Sequence, residues 1–154
     1  METSNNAEFI YQYTSNVYEE VKKSIDIITD KLTKVLAFSG ILLKFGYDMD
    51  STGFLFSAKL LILTLLTITI GLCATGLWPK DSGRAGLTPE YLIEEHYGLD
   101  PESMRLMVSR ARVEGISELR KLHRYRESIL NYAIGCLAFC GLVFGMTGII
   151  SSIH

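Results

Sequence analysis

Leu60-Leu61-Ile62-Leu63-Thr64-Leu65-Leu66-Thr67-Ile68-Thr69-Ile70-Gly71-Leu72 carries no charge and no polar face. A helix in a soluble core shows polar residues every third or fourth position. Here the only polar groups are threonines, whose hydroxyls can bond back to the helix backbone. Trp78 and Pro79 close the run, and Lys80 and Asp81 follow. An indole at headgroup level followed by a helix stop reads as a membrane exit. Residues 60–79 contain no Asp, Glu, Lys or Arg, and neither do residues 128–154. The second run, Ile129 to Ile153, follows the basic cluster Arg120-Lys121-Leu122-His123-Arg124-Tyr125-Arg126. Two uncharged apolar runs of this length predict membrane spans.

The rest of the composition agrees. The chain has 154 residues, 48% hydrophobic and 21% charged, with a mean hydropathy of +0.23. That length suits one domain. A net charge of -2 lacks the basic excess of a nucleic-acid binder, and no nucleic-acid partner is expected. The apolar content argues against disorder. Cys73, Cys136 and Cys140 lie within apolar stretches and form neither a disulfide framework nor a zinc pattern. The polar, charged first 34 residues do not read as a cleavable signal.

A third, shorter span is expected over residues 32–47. Its apolar run is Val35-Leu36-Ala37-Phe38-Ser39-Gly40-Ile41-Leu42-Leu43; Lys44 interrupts it, and the stretch ends at Tyr47. As a helix it reaches about 24 Å, against a hydrocarbon core of about 30 Å. Lys44 can snorkel and Tyr47 can sit at the interface. The alternative is an amphipathic helix lying on the surface. Lys22, Lys23, Lys31 and Lys34 cluster around the start of this segment, and nine bases fall between Lys80 and Arg126. The positive-inside rule then places the N-terminus and the long loop in the cytoplasm, with residues 48–58 and the C-terminus outside.

Val21, Ile25, Ile28, Leu32, Val35, Ser39 and Leu42 repeat at spacings of four and three, a heptad seam. Its partner is a helix of this chain or of a second copy. Thr88-Pro89-Glu90 reads as the start of a short helix ending near Gly98. Asp100-Pro101-Glu102 repeats that start signal, and no proline follows. One helix can therefore run from Pro101 through the last span, with Met104, Val108, Ala111, Gly115, Leu119 and Leu122 as its extramembrane stripe. Residues 81–102 hold six acids and one base, whereas residues 103–128 hold seven bases and three acids. The acidic segment can fold back on the basic helix. Arg120, Lys121, Arg124 and Arg126 read as topological anchors or as contacts for anionic headgroups.

The expected fold is all-α: one helical membrane domain with three transmembrane helices, two long and one short, and a cytoplasmic helical extension. Its parts are a cytoplasmic arm (1–31), spans at 32–47, 58–79 and 129–153, and a cytoplasmic helical hairpin (80–128). No catalytic site, cofactor or metal site is expected. His96, His123 and His154 show no ligand pattern, and no HExxH, CxxC, Walker or nucleophile-elbow sequence occurs. The spans also lack the mid-membrane ionisable groups of a transporter. They do contain small residues: Gly141 and Gly145 form a GxxxG followed by Gly148, and Gly71 and Thr75 repeat the spacing. Such residues let helices approach closely, within one chain or between copies.

Asp30-Lys31-Leu32-Thr33-Lys34-Val35-Leu36-Ala37-Phe38-Ser39-Gly40-Ile41-Leu42-Leu43 resembles the opening of the Pycsar transmembrane effectors and of SLATT-type membrane effectors. The segment from Arg112-Val113-Glu114-Gly115-Ile116 to Leu130-Asn131-Tyr132-Ala133 resembles their cytoplasmic helix leading into the last span. Retron-associated transmembrane effectors are similar in size and character. The resemblance implies a bacterial inner-membrane protein in antiphage defence that assembles on activation and compromises the membrane. Its implied partners are the lipid bilayer, further copies of itself and a cytoplasmic defence component. The competing expectation is an accessory subunit that anchors a cytoplasmic partner, with Tyr91, Tyr97 and Met107 as candidate contacts; a small channel is a third.

Overall fold

The computed structural model describes residues 2–49, 54–79 and 98–153. The expected short helix after Thr88, with Tyr91 and Tyr97, lies outside them. The described residues form three helices: α1 (Glu2–Asp48), α2 (Phe54–Leu77) and α3 (Pro101–Ile153). Two helices, α2 and α3, are long and apolar enough to cross a membrane. Only 28% of the apolar window of α2 and 22% of that of α3 is buried within the chain. A soluble core helix would be mostly covered.

Two compact units divide the chain. The first comprises residues 1–27 and 79–124, the second residues 28–78 and 125–154.

In the second unit α2 runs antiparallel to α1, and α3 runs parallel to α1. Ile28, Leu32, Cys73, Ile129, Leu130 and Ala133 form one buried cluster, with Val35 and Leu36 packed on it. Ile62, Leu66 and Cys140 form another, with Leu42, Leu43 and Leu137 against it. The seam read from sequence is thus occupied, over Ile28, Leu32 and Val35, by helices of the same chain. Alternating spacings of four and three also describe what α2 buries: Ile62, Leu66, Thr69, Cys73 and Gly76. Two glycines set the approach of α2 to its neighbours. A Cβ on Gly76 would lie 3.1 Å from both Ile129 Cγ2 and Leu32 Cδ1. A Cβ on Gly46 would lie 3.3 Å from Leu63 Cδ2.

Polar groups within the apolar helices are satisfied locally. Thr64, Thr67, Thr69 and Thr75 each donate to a backbone carbonyl one turn back at 2.8 Å, and Ser39 does the same to Val35. Lys59 donates to the Met49 carbonyl at 2.7 Å, and its ammonium lies 5.7 Å from the Tyr47 ring centre. This puts a cation at the C-terminal end of α1, where unpaired carbonyls accumulate.

In the first unit α1 and α3 pair in parallel. Ala7, Thr14 and Ile25 of α1 are buried, as are Ser109, Gly115, Ile116 and Leu119 of α3. Asp100 caps α3: its carboxylate accepts from the Ser103 N–H at 3.1 Å, and its carbonyl from the Met104 N–H at 3.1 Å. Pro101 stands at the first helical position, where no N–H is needed.

Two predictions follow from this packing. Gly76→Leu should destabilise the second unit by about 1–3 kcal/mol through overpacking. A Cβ at Gly71 meets nothing within 4 Å, so Gly71→Leu should not lower stability. Thermal unfolding in detergent, followed by circular dichroism, compares the two. Hydrogen bonds from Ser103, side chain first and then backbone, hold the Asp100 carboxyl below its usual value. The cap is therefore complete above the ordinary carboxylate range and is lost as pH falls through the lowered value. The Ser103 amide resonance should titrate in the natural chain and stay flat in Asp100→Asn, which caps without titrating.

Candidate functional site

The sequence nominates three sets of residues: the seam of α1, small residues on the apolar helices and bases before the last span. The seam is covered within the chain and the small residues are not. Ile25, Ile28 and Leu32 are buried, and Val35 is half-buried. Gly71, Thr75, Gly141, Gly145 and Gly148 are exposed. A Cβ built on Gly141, Gly145 or Gly148 meets nothing within 4 Å. The GxxxG sequence therefore does not serve packing among the described residues of the chain. The close-approach glycines are Gly76 and Gly46, which sequence reasoning did not select.

Around the GxxxG the surface is apolar. Phe139, Leu142, Met146 and Ile149 are exposed on α3, and Phe38, Ile41 and Phe45 on α1. Gly141 also stands at the edge of an apolar cavity of about 210 Å³, lined by Phe38, Leu42, Ile62, Leu66 and Phe144 among others. In water an exposed apolar surface of this kind would drive association. In lipid it is matched by acyl chains, and what favours contact between helices is the flatness that glycine provides.

The four bases do not act as one cluster. Arg120, Lys121 and Arg124 are exposed, whereas Arg126 is half-buried. Arg126 donates from Nη1 to Thr29 Oγ1 at 2.7 Å, tying α3 to α1 within the second unit. Its Nε is buried and meets no acceptor among the described residues. One residue, Tyr125, lies between Arg124 and Arg126, which turns them about 200° apart around the helix.

The first unit is held by polar contacts of a different kind. Arg112 of α3 lies over the Tyr11 ring of α1, with 4.3 Å from guanidinium carbon to ring centre. It also donates to the Tyr11 carbonyl at 3.3 Å and to the Tyr11 hydroxyl at 3.2 Å. Arg105 pairs with Glu8, two turns before Arg112 on α3 and one turn before Tyr11 on α1. Phe9 and Tyr13 stack with centroids 6.3 Å apart, and both rings are exposed. Met107, expected as a partner contact, is half-buried beside Ser103, Leu106 and Arg110. No group of three or more His, Cys, Asp or Glu among the described residues is placed to hold a metal.

No protein-family model, curated protein or solved structure matches this chain.

The Arg112–Tyr11 contact yields a direct test. A double-mutant cycle with Arg112→Ala and Tyr11→Ala should give a coupling of about 1 kcal/mol. Tyr11→Phe keeps the ring and the carbonyl acceptor, so it should retain most of that coupling. Denaturant unfolding of the four variants in detergent measures it.

Proposed function

We propose that this chain is a three-span protein of the bacterial inner membrane, with its N-terminus in the cytoplasm, acting as a non-enzymatic effector of antiphage defence. It assembles with further copies through the face that carries Gly141 and Gly145 and perturbs the bilayer. The third span would be the stretch of α1 from Leu32 to Tyr47. Its support is the packing in the second unit, where α1 accompanies α2 from the Leu32–Gly76 contact to the Gly46–Leu63 contact. That overlap is about 21 Å at 1.5 Å per residue, most of a hydrocarbon core. With α2 and α3 both crossing, α1 lies beside α2 over that depth.

The observation that carries self-assembly is the division among the glycines. Gly76 and Gly46 are taken up in contacts within the chain, whereas Gly141 and Gly145 present open backbone beside an apolar surface. The antiphage role rests on the sequence resemblance of the Asp30–Leu43 and Arg112–Ala133 segments. A second reading, an anchor for a cytoplasmic partner, is favoured by the exposed Phe9–Tyr13 stack on the first unit.

Membrane potential after induced expression separates these readings. The effector reading predicts depolarisation by the natural chain and its loss in the Gly141→Leu, Gly145→Leu double variant at equal membrane level. A Cβ at either position meets nothing within 4 Å, so the double variant should fold, which its unfolding temperature in detergent checks. Equal depolarisation by both chains would contradict assembly through this face. No depolarisation, with a partner co-purifying through Phe9 and Tyr13, would favour the anchor.

A further inference from the structure

In the first unit a cleft of about 410 Å³ opens between α1 and α3. Tyr13, Val17, Ser117, Arg120 and Arg124 line it, with Val113 and Ile116 as apolar floor. We propose that this cleft binds an organic phosphate, with its anionic group between Arg120 and Arg124 and its apolar body against Tyr13 and Val17. The ligand is either the headgroup of an anionic phospholipid or a soluble phosphorylated compound.

Charge is the first argument. Arg120 and Arg124 stand one turn apart on one face of α3, where like charges repel. Three other arginines of the helix have acceptors or ring partners: Arg105 has Glu8, Arg112 has Tyr11 and Arg126 has Thr29, while the exposed Arg110 lines neither this cleft nor the one beside it. Neither Arg120 nor Arg124 forms an ion pair with any described residue, and no carboxylate lines the cleft. A phosphate between them would relieve the repulsion and accept charge-assisted hydrogen bonds from both.

Shape and donors are the second argument. The volume falls within the range of small-molecule sites, about 300–1,000 Å³. The Thr14 hydroxyl is already committed to the Ile10 and Tyr11 carbonyls. Tyr13 and Ser117 remain as hydroxyl donors at the rim. Tyr13 is exposed and stacks with Phe9, so its ring offers an apolar wall beside the cleft. An adjoining cleft of about 370 Å³ shares Tyr13, Val17 and Arg120 and adds Glu20, giving room for a body larger than the phosphate. Lys121 and Arg126 line neither cleft. The site thus involves two of the four bases.

The test uses the full chain in nanodiscs and reads the unfolding temperature. One arm compares pure phosphatidylcholine with a mixture containing phosphatidylglycerol. The other adds phenyl phosphate to phosphatidylcholine discs. Stabilisation in one arm identifies the source of the ligand. The Arg120→Gln, Arg124→Gln variant should lose that stabilisation or bind at least about tenfold more weakly. Lys121→Gln should behave as the natural chain. Both arginines are exposed and unpaired among the described residues, so the variant should fold, which circular dichroism checks. Stabilisation in neither arm, or an equal loss in Lys121→Gln, would overturn the proposal.

Discussion

At Gly76 α2 has no side chain, and Leu32 of α1 and Ile129 of α3 close over its backbone. In an apolar solvent helices gain little from hiding apolar surface, because lipid tails accommodate it equally well. What remains is the fit of one surface against another. A Cβ at this point would already press on both neighbours at 3.1 Å. The cluster of Ile28, Leu32, Cys73, Ile129, Leu130 and Ala133 is built around this approach. Farther along, Gly46 plays the same part toward Leu63. The second unit is thus held by dry contacts that depend on small residues at particular levels.

The first unit is held differently, although α1 and α3 contribute to both. Its two helices meet through an arginine on a tyrosine ring, an ion pair, and a seam that includes Thr14 and Ser109. Such contacts suit a solvated pair of helices, where charged groups need not be removed from water. The surfaces left over follow the same division. The second unit exposes apolar side chains and open glycines, which suit lipid and neighbouring helices. The first exposes aromatic rings and the arginines Arg120 and Arg124, which suit a polar ligand or partner.

Much of α1 was legible from sequence because its polar arm supplies contrast. The seam from Val21 to Leu42 stands out against lysines and acids. The structure continues its spacing through Ala7, Tyr11, Thr14 and Tyr18 at one end and Gly46 at the other, all buried or half-buried. Ala7 and Gly46 are small, Tyr11 and Tyr18 carry hydroxyls and Thr14 is polar, so the pattern is weaker there than over the aliphatic residues. On α2 the contrast disappears. With apolar residues on every side, nothing marks Ile62, Leu66, Thr69, Cys73 and Gly76 as the packed face. Sequence reasoning accordingly chose Gly71 and Thr75, which are exposed, over Gly76, which is buried. The same blindness applies to Gly141 and Gly145: their spacing was readable, their orientation was not. Among the bases, Arg126 departs from its neighbours through helical phase, which a list of nearby charges conceals.

Whether α1 crosses the membrane beside α2 and α3 is decided by the side on which its first part emerges. Gln12 and Ser57 are both exposed, on α1 and near the start of α2. Single cysteines at these positions, Gln12→Cys and Ser57→Cys in a chain with its own cysteines replaced, can be probed in intact cells with an impermeant maleimide. Three crossings predict labelling at position 57 and protection at position 12 until the membrane is opened. Equal labelling at both positions would mean that α1 does not cross and would contradict the three-span topology.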